Sequence, residues 1–296
     1  MNLKKFSTAY KEEGIKGFLN VLLGKIGFKY RLIVPSLLIK NSLDQKIISL
    51  EEELKSISKN KVMSGLYKNL KLNNFLSRSN KNFNLTAYNL KSNCSQILGL
   101  YEKEVQDYLA KYNYKTLINI GCGDGYHLIG NLFKNKKKKA IGFEIDIKAR
   151  QNLIKNAKIN NCYDRIELID EGGGWANEKF LDILLKKKIN FEKSFFLIDI
   201  EGQEFNILNN KNLKKLKQTK MIVELHGNNF GKNNSMKLEN DLLNNLKNYF
   251  NIKIFQTGER DLSIYKELRD YNDLDRWLMV SENRPWAMRW VLCLPK

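Results

Sequence analysis

Three glycines at alternate positions, Gly121, Gly123 and Gly125, separate two apolar stretches of the chain. The apolar run at residues 117–120 precedes them, and an apolar-spaced segment follows directly. This order predicts a buried strand, a tight turn and the first turn of a helix. Glycine permits positive φ and a close approach of the backbone to a ligand, and the amides of a helix N-terminus favour a carboxylate or phosphate. The segment is therefore typical of a loop that binds a nucleotide-type cofactor.

The spacing of the glycines narrows the choice of cofactor. The dinucleotide motif G-x-G-x-x-G requires glycine at position 126, where Tyr126 stands, and the sequence has no G-x-x-x-x-G-K-[ST] motif of a P-loop. The G-x-G-x-G spacing resembles that of class I S-adenosylmethionine methyltransferases. Asn119 occupies a position where that superfamily more often has Asp or Glu. The resemblance implies cofactor contacts from Asn119, Gly121, Cys122, Gly123 and Gly125.

Acidic residues follow the next two predicted strands. Glu144 ends the apolar run at residues 140–143, about twenty residues after the glycines, and is the candidate ligand of the ribose hydroxyls. Asp146 fits a helix N-cap. A third strand at residues 165–169 leads to Asp170 and Glu171, either of which would accept from the adenine amino group in the methyltransferase pattern. The alternative for that segment is a plain glycine-rich loop.

The fourth and fifth predicted strands also end in polar residues. Asp199 and Glu201 follow one apolar run, and Glu224 and His226 close the next. Period-two alternation places the members of each pair on one face of their strand. Ligands bind at the carboxyl edge of an open α/β sheet, so these side chains are expected beside the cofactor loop. The alternative for His226 is a histidine that caps a turn.

Residues 199–205 resemble the FkbM-type methyltransferases, in which the fourth strand reads apolar-Asp-apolar-Glu-Gly-x-Glu-aromatic. The apolar-Glu-apolar-His order at residues 223–226 is also similar, and the resemblance covers about residues 98–230. It implies an α/β, Rossmann-like class I methyltransferase sheet, mostly parallel with one antiparallel C-terminal strand. It further implies S-adenosylmethionine as donor and O-methylation of a hydroxyl on a sugar, glycan or related small molecule.

Two accounts of catalysis remain open. Methyl transfer to a hydroxyl requires alignment of the acceptor and removal of its proton, for which an imidazole suits neutral pH. His226 is the candidate base, oriented by Glu224 or Asp199. In the alternative, Asp199, Glu224 and His226 hold a divalent cation, Mg²⁺ or Mn²⁺.

Composition limits the setting of the protein. Of the 296 residues, 43% are hydrophobic, and the four cysteines show no paired spacing. This argues against structural zinc and a disulfide framework and favours a reducing cytoplasm. We find no secretory signal and no apolar run long enough for a membrane span. The net charge of +19 fits solvated lysine-rich faces, codon bias, or attraction of an anionic acceptor or membrane surface.

The sequence divides into a basic, helical N-terminal extension at residues 1–85 and a methyltransferase domain at residues 86–296. The amphipathic stripe at residues 17–28 either lies on the inner membrane face or packs against protein. A helix at residues 42–58 offers a face for oligomer contacts. A further helix is expected at residues 94–112, in which Tyr101 and Glu102 lie on the helix surface or, alternatively, cover the cofactor.

The last third of the chain is expected to form the acceptor side. Residues 228–235 form a polar loop, followed by a helix at 236–248 and strands at 252–255 and 290–294. The aromatic and basic side chains near the end either wall an acceptor pocket and clamp a phosphate or pack inside the domain; they are Arg284, Trp286, Arg289 and Trp290.

Two other functions compete with a sugar O-methyltransferase. A nucleic-acid methyltransferase would fit the basic charge, but the fourth strand has no Asn/Asp-Pro-Pro-aromatic motif and the chain has no Pro-Cys nucleophile. A non-catalytic protein of a glycan assembly with a cofactor-type fold is the other alternative. The intact glycine loop and Glu144 weigh against it.

Overall fold

A computed structural model describes residues 33–72, 93–169, 179–227, 232–282, 284 and 288–296. The chain divides into two compact units, residues 1–52 and 53–296. Helix α1 comprises Ile33–Ser58 and ends where the sequence predicts. The domain boundary placed at residue 85 stays a prediction, since residues 73–92 lie outside the described part. The amphipathic stripe at residues 17–28 lies outside it as well.

The second unit contains a seven-stranded sheet of order β3-β2-β1-β4-β5-β7-β6. The strands are β1 Thr116–Ile120, β2 Lys139–Phe143, β3 Ile166–Ile169, β4 Ser194–Ile198, β5 Lys220–Leu225, β6 Phe250–Gln256 and β7 Arg289–Pro295. Strands β1 to β5 pair in parallel, and β7 runs antiparallel between β5 and β6. The expected α/β fold, mostly parallel with one antiparallel C-terminal strand, is confirmed.

Helices connect the parallel strands and cover the sheet. They are α2 Cys94–Leu98, α3 Lys103–Lys111, α4 Tyr126–Lys134, α5 Ile147–Ile159, α6 Lys179–Lys186, α7 Glu204–Ile207, α8 Asn210–Leu216, α9 Lys232–Tyr249 and α10 Asp273–Val280. A parallel sheet covered in this way is buried on both faces, which is why its central strands are almost wholly apolar. Strand β4, with the sequence SFFLI, is buried at every position.

The register brings the ends of the central strands to one level. Ile120, the last residue of β1, pairs with Phe143 at the end of β2 and with Ile198 at the end of β4. Val223 of β5 pairs with Ile198 in turn. The residues that follow these strands therefore meet at one edge of the sheet, where α/β proteins bind their ligands.

The single helix expected at residues 94–112 is wrong, because the chain forms two helices there. Gly99 adopts a left-handed conformation with φ of 81° and caps α2. Glu102, with φ of 45°, precedes α3 in a second left-handed turn. Glycine is frequent at the end of a helix, as at Gly99, because it adopts the left-handed conformation without a Cβ penalty.

Described helices include none that is long and apolar enough to cross a membrane. All four cysteines, which lie in the described part, are buried and free.

The packing around the glycine turn predicts that alanine at Gly121 destabilises the protein more than alanine at Gly123. A Cβ on Gly121 would lie 1.7 Å from the carbonyl oxygen of Asp199, whereas a Cβ on Gly123 would meet no atom within 4 Å. Both residues have positive φ, so alanine at either costs about 1–2 kcal/mol in backbone strain. Gly121→Ala should lose roughly 1–3 kcal/mol more through overpacking. Urea unfolding of the two variants measures the difference, and equal losses would contradict the packing.

Candidate active site

Asp199, Glu224 and His226 meet at the carboxyl edge of the sheet. Asp199 directly follows β4, Glu224 lies near the end of β5, and His226 follows β5. One ligand-type atom from each residue lies within 4.8 Å of those of the other two. His226 Nε2 lies 3.5 Å from Asp199 Oδ1 and 3.8 Å from Glu224 Oε2. We call these three residues the strand-end cluster.

The imidazole of His226 is oriented by Glu204, the first residue of α7. Glu204 is fully buried, and its Oε1 lies 3.2 Å from His226 Nδ1 and accepts the backbone N–H of His226 at 2.9 Å. Its other oxygen accepts the N–H of Gly202 at 2.9 Å. Because Nδ1 faces this carboxylate, Nε2 points toward the carboxyl groups of Asp199 and Glu224. The expected orienting residues, Glu224 or Asp199, therefore lie on the Nε2 side instead.

Glu224 and Glu102 are joined by the guanidinium of Arg284. Its Nη1 donates to Glu224 Oε1 at 2.6 Å, and its Nη2 donates to Glu102. Its Nε donates to Glu282 at 2.8 Å. Burying carboxylates without a counter-charge is costly, and Arg284 supplies that charge in a planar, multidentate form. Arg284 thus holds three carboxylates, which differs from the expected phosphate clamp.

Glu102 extends this network to α4, the helix that follows the glycine turn and that we call the glycine-turn helix. Its Oε2 lies 2.7 Å from His127 Nε2, while His127 Nδ1 lies 3.2 Å from the Tyr67 hydroxyl. Tyr101 stacks on the His127 ring with centroids 5.9 Å apart. Only 2% of the Glu102 surface is exposed, so the helix-surface position expected for it is wrong.

The other C-terminal residues proposed for an acceptor pocket are placed differently. Trp290 is buried in β7 and stacks on Phe255. Arg289 pairs with Glu239 of α9. These contacts favour internal packing for both residues. Trp286 lies outside the described residues.

The carboxyl groups of the network differ in acidity. Burial, together with the charge of Glu102, raises the pKa of Asp199 to about 6. Burial and the charges of Asp199 and Glu102 also raise the pKa of Glu224. Burial disfavours the charged form of Glu102 as well, but its hydrogen bond with His127 and the charge of Arg284 outweigh that effect and lower its pKa to about 2. The surroundings therefore favour the ionised carboxylate at Glu102 and disfavour it at Asp199 and Glu224.

The pKa of His226 is raised above its usual value. Burial alone would lower it, but the hydrogen bond with Glu204 and the charge of Asp199 favour the protonated ring.

The glycine turn lies against the same edge. Gly121, Gly123 and Gly125 all have positive φ, at 81°, 54° and 91°, as the sequence predicts for a tight turn. A Cβ on Gly125 would meet Ile129 and Leu153 at 2.8 and 2.9 Å. The outer two glycines thus allow close packing, while Gly123 borders open space.

The amides of this turn are largely used within the protein. The N–H groups of Gly121 and Cys122 donate to the carbonyl of Phe143, and that of Gly125 donates to the carbonyl of Cys122. Gly123 N–H donates to Glu144 Oε2 at 2.7 Å. These four amides are therefore bonded within the protein, while Gly123 borders open space; binding of an anionic ligand group at this loop stays a prediction.

Glu144 is placed at the end of β2, as predicted, and it also fastens the turn. Its second oxygen accepts the N–H of Asp146 at 2.8 Å. A carboxylate accepts about four hydrogen bonds, so both oxygens retain capacity for ribose hydroxyls. Asp146 caps α5 by accepting from the N–H groups of Lys148 and Ala149, which confirms the predicted N-cap.

The remaining candidate cofactor residues are distributed as follows. Asn119 lies in β1 and is 4% exposed. Cys122 is buried, and burial raises the pKa of its thiol, in keeping with a small filler rather than a nucleophile. Asp170 and Glu171 lie outside the described residues.

The sequence does not give the roles that the structure shows for two residues of the site, although covering the cofactor is one alternative that it offers for Glu102. Glu204 belongs to the Glu-Gly-x-Glu stretch that carries the family resemblance, and its position at the start of α7 could have indicated a role beside β5. Glu102 offered no local signal, because its partners are far away in the chain.

No family model matches the chain, and no curated protein matches it. Its fold is similar to solved structures of methyltransferases. Precorrin-6y C5,15-methyltransferase from Geobacter metallireducens is 11% identical, with a TM-score of 0.43 over 66% of this chain and 89% of that one.

An O-methyltransferase from Bacillus cereus, solved in complex with SAH, is 14% identical, with a TM-score of 0.40 over 62% of this chain and 74% of that one. The methyltransferase domain of METTL16 is 18% identical, with a TM-score of 0.42 over 66% of each chain. The fold assignment rests on the strand order and register of the sheet.

The depressed pKa of Glu102 predicts an acid-dependent contribution to stability. Its folded-state pKa of about 2 lies below the ordinary value of 4.5, so the contribution is complete above pH 4.5 and is lost as the pH falls toward 2. Glu102→Gln should be less stable at pH 7, and its stability should fall less steeply over that acid range.

Chemical denaturation at several pH values tests this expectation. Glu192→Gln, an exposed substitution, controls for the loss of one negative charge. Parallel pH profiles for wild type and Glu102→Gln would contradict the assignment.

Proposed function

We propose that the protein is an S-adenosylmethionine-dependent methyltransferase that methylates a hydroxyl group. The observation that carries the proposal is the direct contact between the glycine turn and the strand-end cluster. Asp199 donates its N–H to Ile120 at 3.0 Å, and its carbonyl packs against Gly121. A cofactor lying over the turn and an acceptor lying at the cluster would be neighbours.

The turn fits a nucleoside cofactor. Gly123 borders open space, and Glu144 stands at the end of β2 with unused hydrogen-bonding capacity. Our candidate cofactor-binding residues are those of the turn and β1, with Glu144 for the ribose. When bound, S-adenosylmethionine supplies an activated methyl group, so the chain must align the acceptor and manage its proton.

Proton removal is assigned to the strand-end cluster. In the cation-free site, His226 is the candidate base, since Glu204 holds Nδ1 and Nε2 faces the exposed edge of Asp199. Glu224 is fixed by Arg284. The contact of Nδ1 with Glu204 favours one orientation of the ring, and proton transfer in a transition state requires such positioning.

A hydroxyl of a sugar, glycan or related small molecule is the proposed acceptor. The FkbM resemblance at residues 199–205 supports this class. The local charge supports it too, because carboxylates accept hydrogen bonds from hydroxyl groups and repel phosphates. RNA is the second candidate acceptor because the chain carries a net charge of +19. Methylation of RNA by the protein, together with RNA affinity that falls steeply as salt increases, would favour RNA over a sugar as the acceptor.

Filling the open face of the turn should block the cofactor. Gly123→Leu is expected to abolish S-adenosylmethionine binding measured by calorimetry, because the side chain would occupy the space beside Gly123. Asn161→Leu is the matched control, since Asn161 is exposed and has the same φ of 54°. Retained affinity in a folded Gly123→Leu protein would exclude the turn from cofactor binding.

Removing the imidazole should affect chemistry and spare cofactor binding. His226→Ala is expected to reduce the rate of methyl transfer by about 10²–10⁴, the range for a general base. S-Adenosylmethionine affinity should stay close to that of wild type, which calorimetry on the same sample checks. A wild-type rate would remove His226 from the reaction.

A further inference from the structure

The environment of His226 Nε2 is the most unusual feature of the strand-end cluster. The ring is 4% exposed, and Nε2 makes no hydrogen bond with any described residue. It faces carboxylate oxygens of Asp199 at 3.5 Å, Glu201 at 3.7 Å and Glu224 at 3.8 Å. These separations exceed the usual N···O hydrogen-bond distance of about 2.7–3.2 Å, so there is space for a bridging ion between Nε2 and the carboxylate oxygens.

We propose that Asp199, Glu224 and His226 bind a divalent metal cation through two carboxylate oxygens and His226 Nε2. The three ligand atoms already lie within 4.8 Å of one another. His226 Nε2 is 3.5 Å from the Asp199 oxygen and 3.8 Å from the Glu224 oxygen, which is too far for a strong direct hydrogen bond. Metal–oxygen and metal–nitrogen bonds of about 2.0–2.2 Å place ligand atoms roughly 3–4 Å apart around one ion. The observed separations of 3.5 and 3.8 Å match that spacing.

Glu204 provides the outer support that a histidine ligand requires. A metal-bound imidazole commonly presents its other nitrogen to a carboxylate, which fixes the tautomer and strengthens the ligand. Glu204 occupies that position at 3.2 Å from Nδ1 and is itself held by the N–H of Gly202. Nε2 is thereby left as the nitrogen directed at the cluster.

The balance of charge also favours a cation. Arg284 contacts Glu224, Glu102 and Glu282, while Glu102 also contacts His127 and Glu282 also contacts Arg260. Asp199 is not among the partners of Arg284. Four carboxyl groups, those of Asp199, Glu201, Glu204 and Glu224, thus lie within 3.8 Å of the ring nitrogens of His226, and Arg284 contacts Glu224. A divalent ion at Nε2 would reduce this repulsion.

The site has an entrance and a suitable ligand set. Asp199 keeps 33% of its side chain exposed, and Glu201 is 80% exposed at the same opening. Two carboxylates suit Mn²⁺, and the additional imidazole favours a transition-metal ion such as Mn²⁺ over Ca²⁺ or Mg²⁺, which bind mainly oxygen. Three protein ligands leave positions for water or an acceptor hydroxyl, whose pKa the cation would lower.

This inference rests on the proposed function only for the role of the cation, since metal binding itself can be measured without cofactor or acceptor. With an ion bound, Nε2 would be a ligand and not a base; the cation would lower the pKa of the acceptor hydroxyl, and solvent water at the opening would take its proton. The two accounts of His226 are therefore separated by whether the cation binds.

The experiment is a titration of the metal-free full chain with Mn²⁺, followed by the electron paramagnetic resonance signal of free Mn²⁺. We expect one saturable site per chain in wild type. Asp199→Asn, which keeps the size of the side chain, should weaken binding by more than about 100-fold, and Glu204→Gln by about 10–100-fold. Asp164→Asn, an exposed acid elsewhere, should bind like wild type.

Thermal unfolding of each variant in the absence of metal shows that it is folded. Absence of a saturable site in wild type, or equal affinity in folded Asp199→Asn and wild type, overturns the inference. If Asp199→Asn does not fold, Glu204→Gln decides: unchanged affinity there overturns the inference, and the expected loss supports it.

Calorimetry with S-adenosylmethionine separates this result from the proposed function. Cofactor binding without Mn²⁺ binding overturns the metal site alone. Mn²⁺ binding at the cluster without cofactor binding overturns the proposed function and leaves the metal site standing.

Discussion

Close packing of the glycine turn onto the end of β4 is the contact on which the rest of the site depends. Gly121 has no space for a side chain because the carbonyl of Asp199 lies where its Cβ would be. This contact holds the turn after β1 beside the strand-end cluster after β4 and β5. The equal level of the strand ends makes it geometrically available, because parallel pairing aligns Ile120 with Ile198. The glycine turn and the strand-end cluster are consequently adjacent parts of one edge.

Charge compensation is the second organising feature. Arg284, near the end of the chain, reaches Glu224 of β5 and Glu102 before α3, and Glu102 reaches His127 in the glycine-turn helix. Groups distant in sequence are thereby fixed around the cluster by hydrogen bonds that burial makes expensive to break. This arrangement explains why the pKa of Glu102 is lowered and those of Asp199 and Glu224 are raised. Glu102 contacts Arg284 and His127 directly, while Asp199 and Glu224 face each other.

Much of the fold was predictable because its signals are local. Apolar runs ending in polar residues predicted the parallel strands, and Asp146 predicted the beginning of α5. The break at Gly99 and the left-handed Glu102 were not predicted, since an apolar helical pattern continues across both. In the site, alternation correctly predicted that the side chains of Glu224 and His226 lie together at the end of β5. The orienting role of Glu204 and the burial of Glu102 depended on partners that no local pattern specifies, and the use of the turn amides depended on the neighbouring strand.

The sequence by itself determined the order of the strands along the chain, the positive-φ turn at the three glycines, and the polar residues that end the central strands. These properties follow from residue types and their spacing over a few positions. Only the tertiary structure decided that Glu204, rather than Asp199 or Glu224, holds His226 Nδ1, and that Arg284 joins Glu224 to Glu102. Those pairings arise when segments far apart in the chain are brought together by the sheet, and the cost of burying unpaired charge then selects which side chains meet.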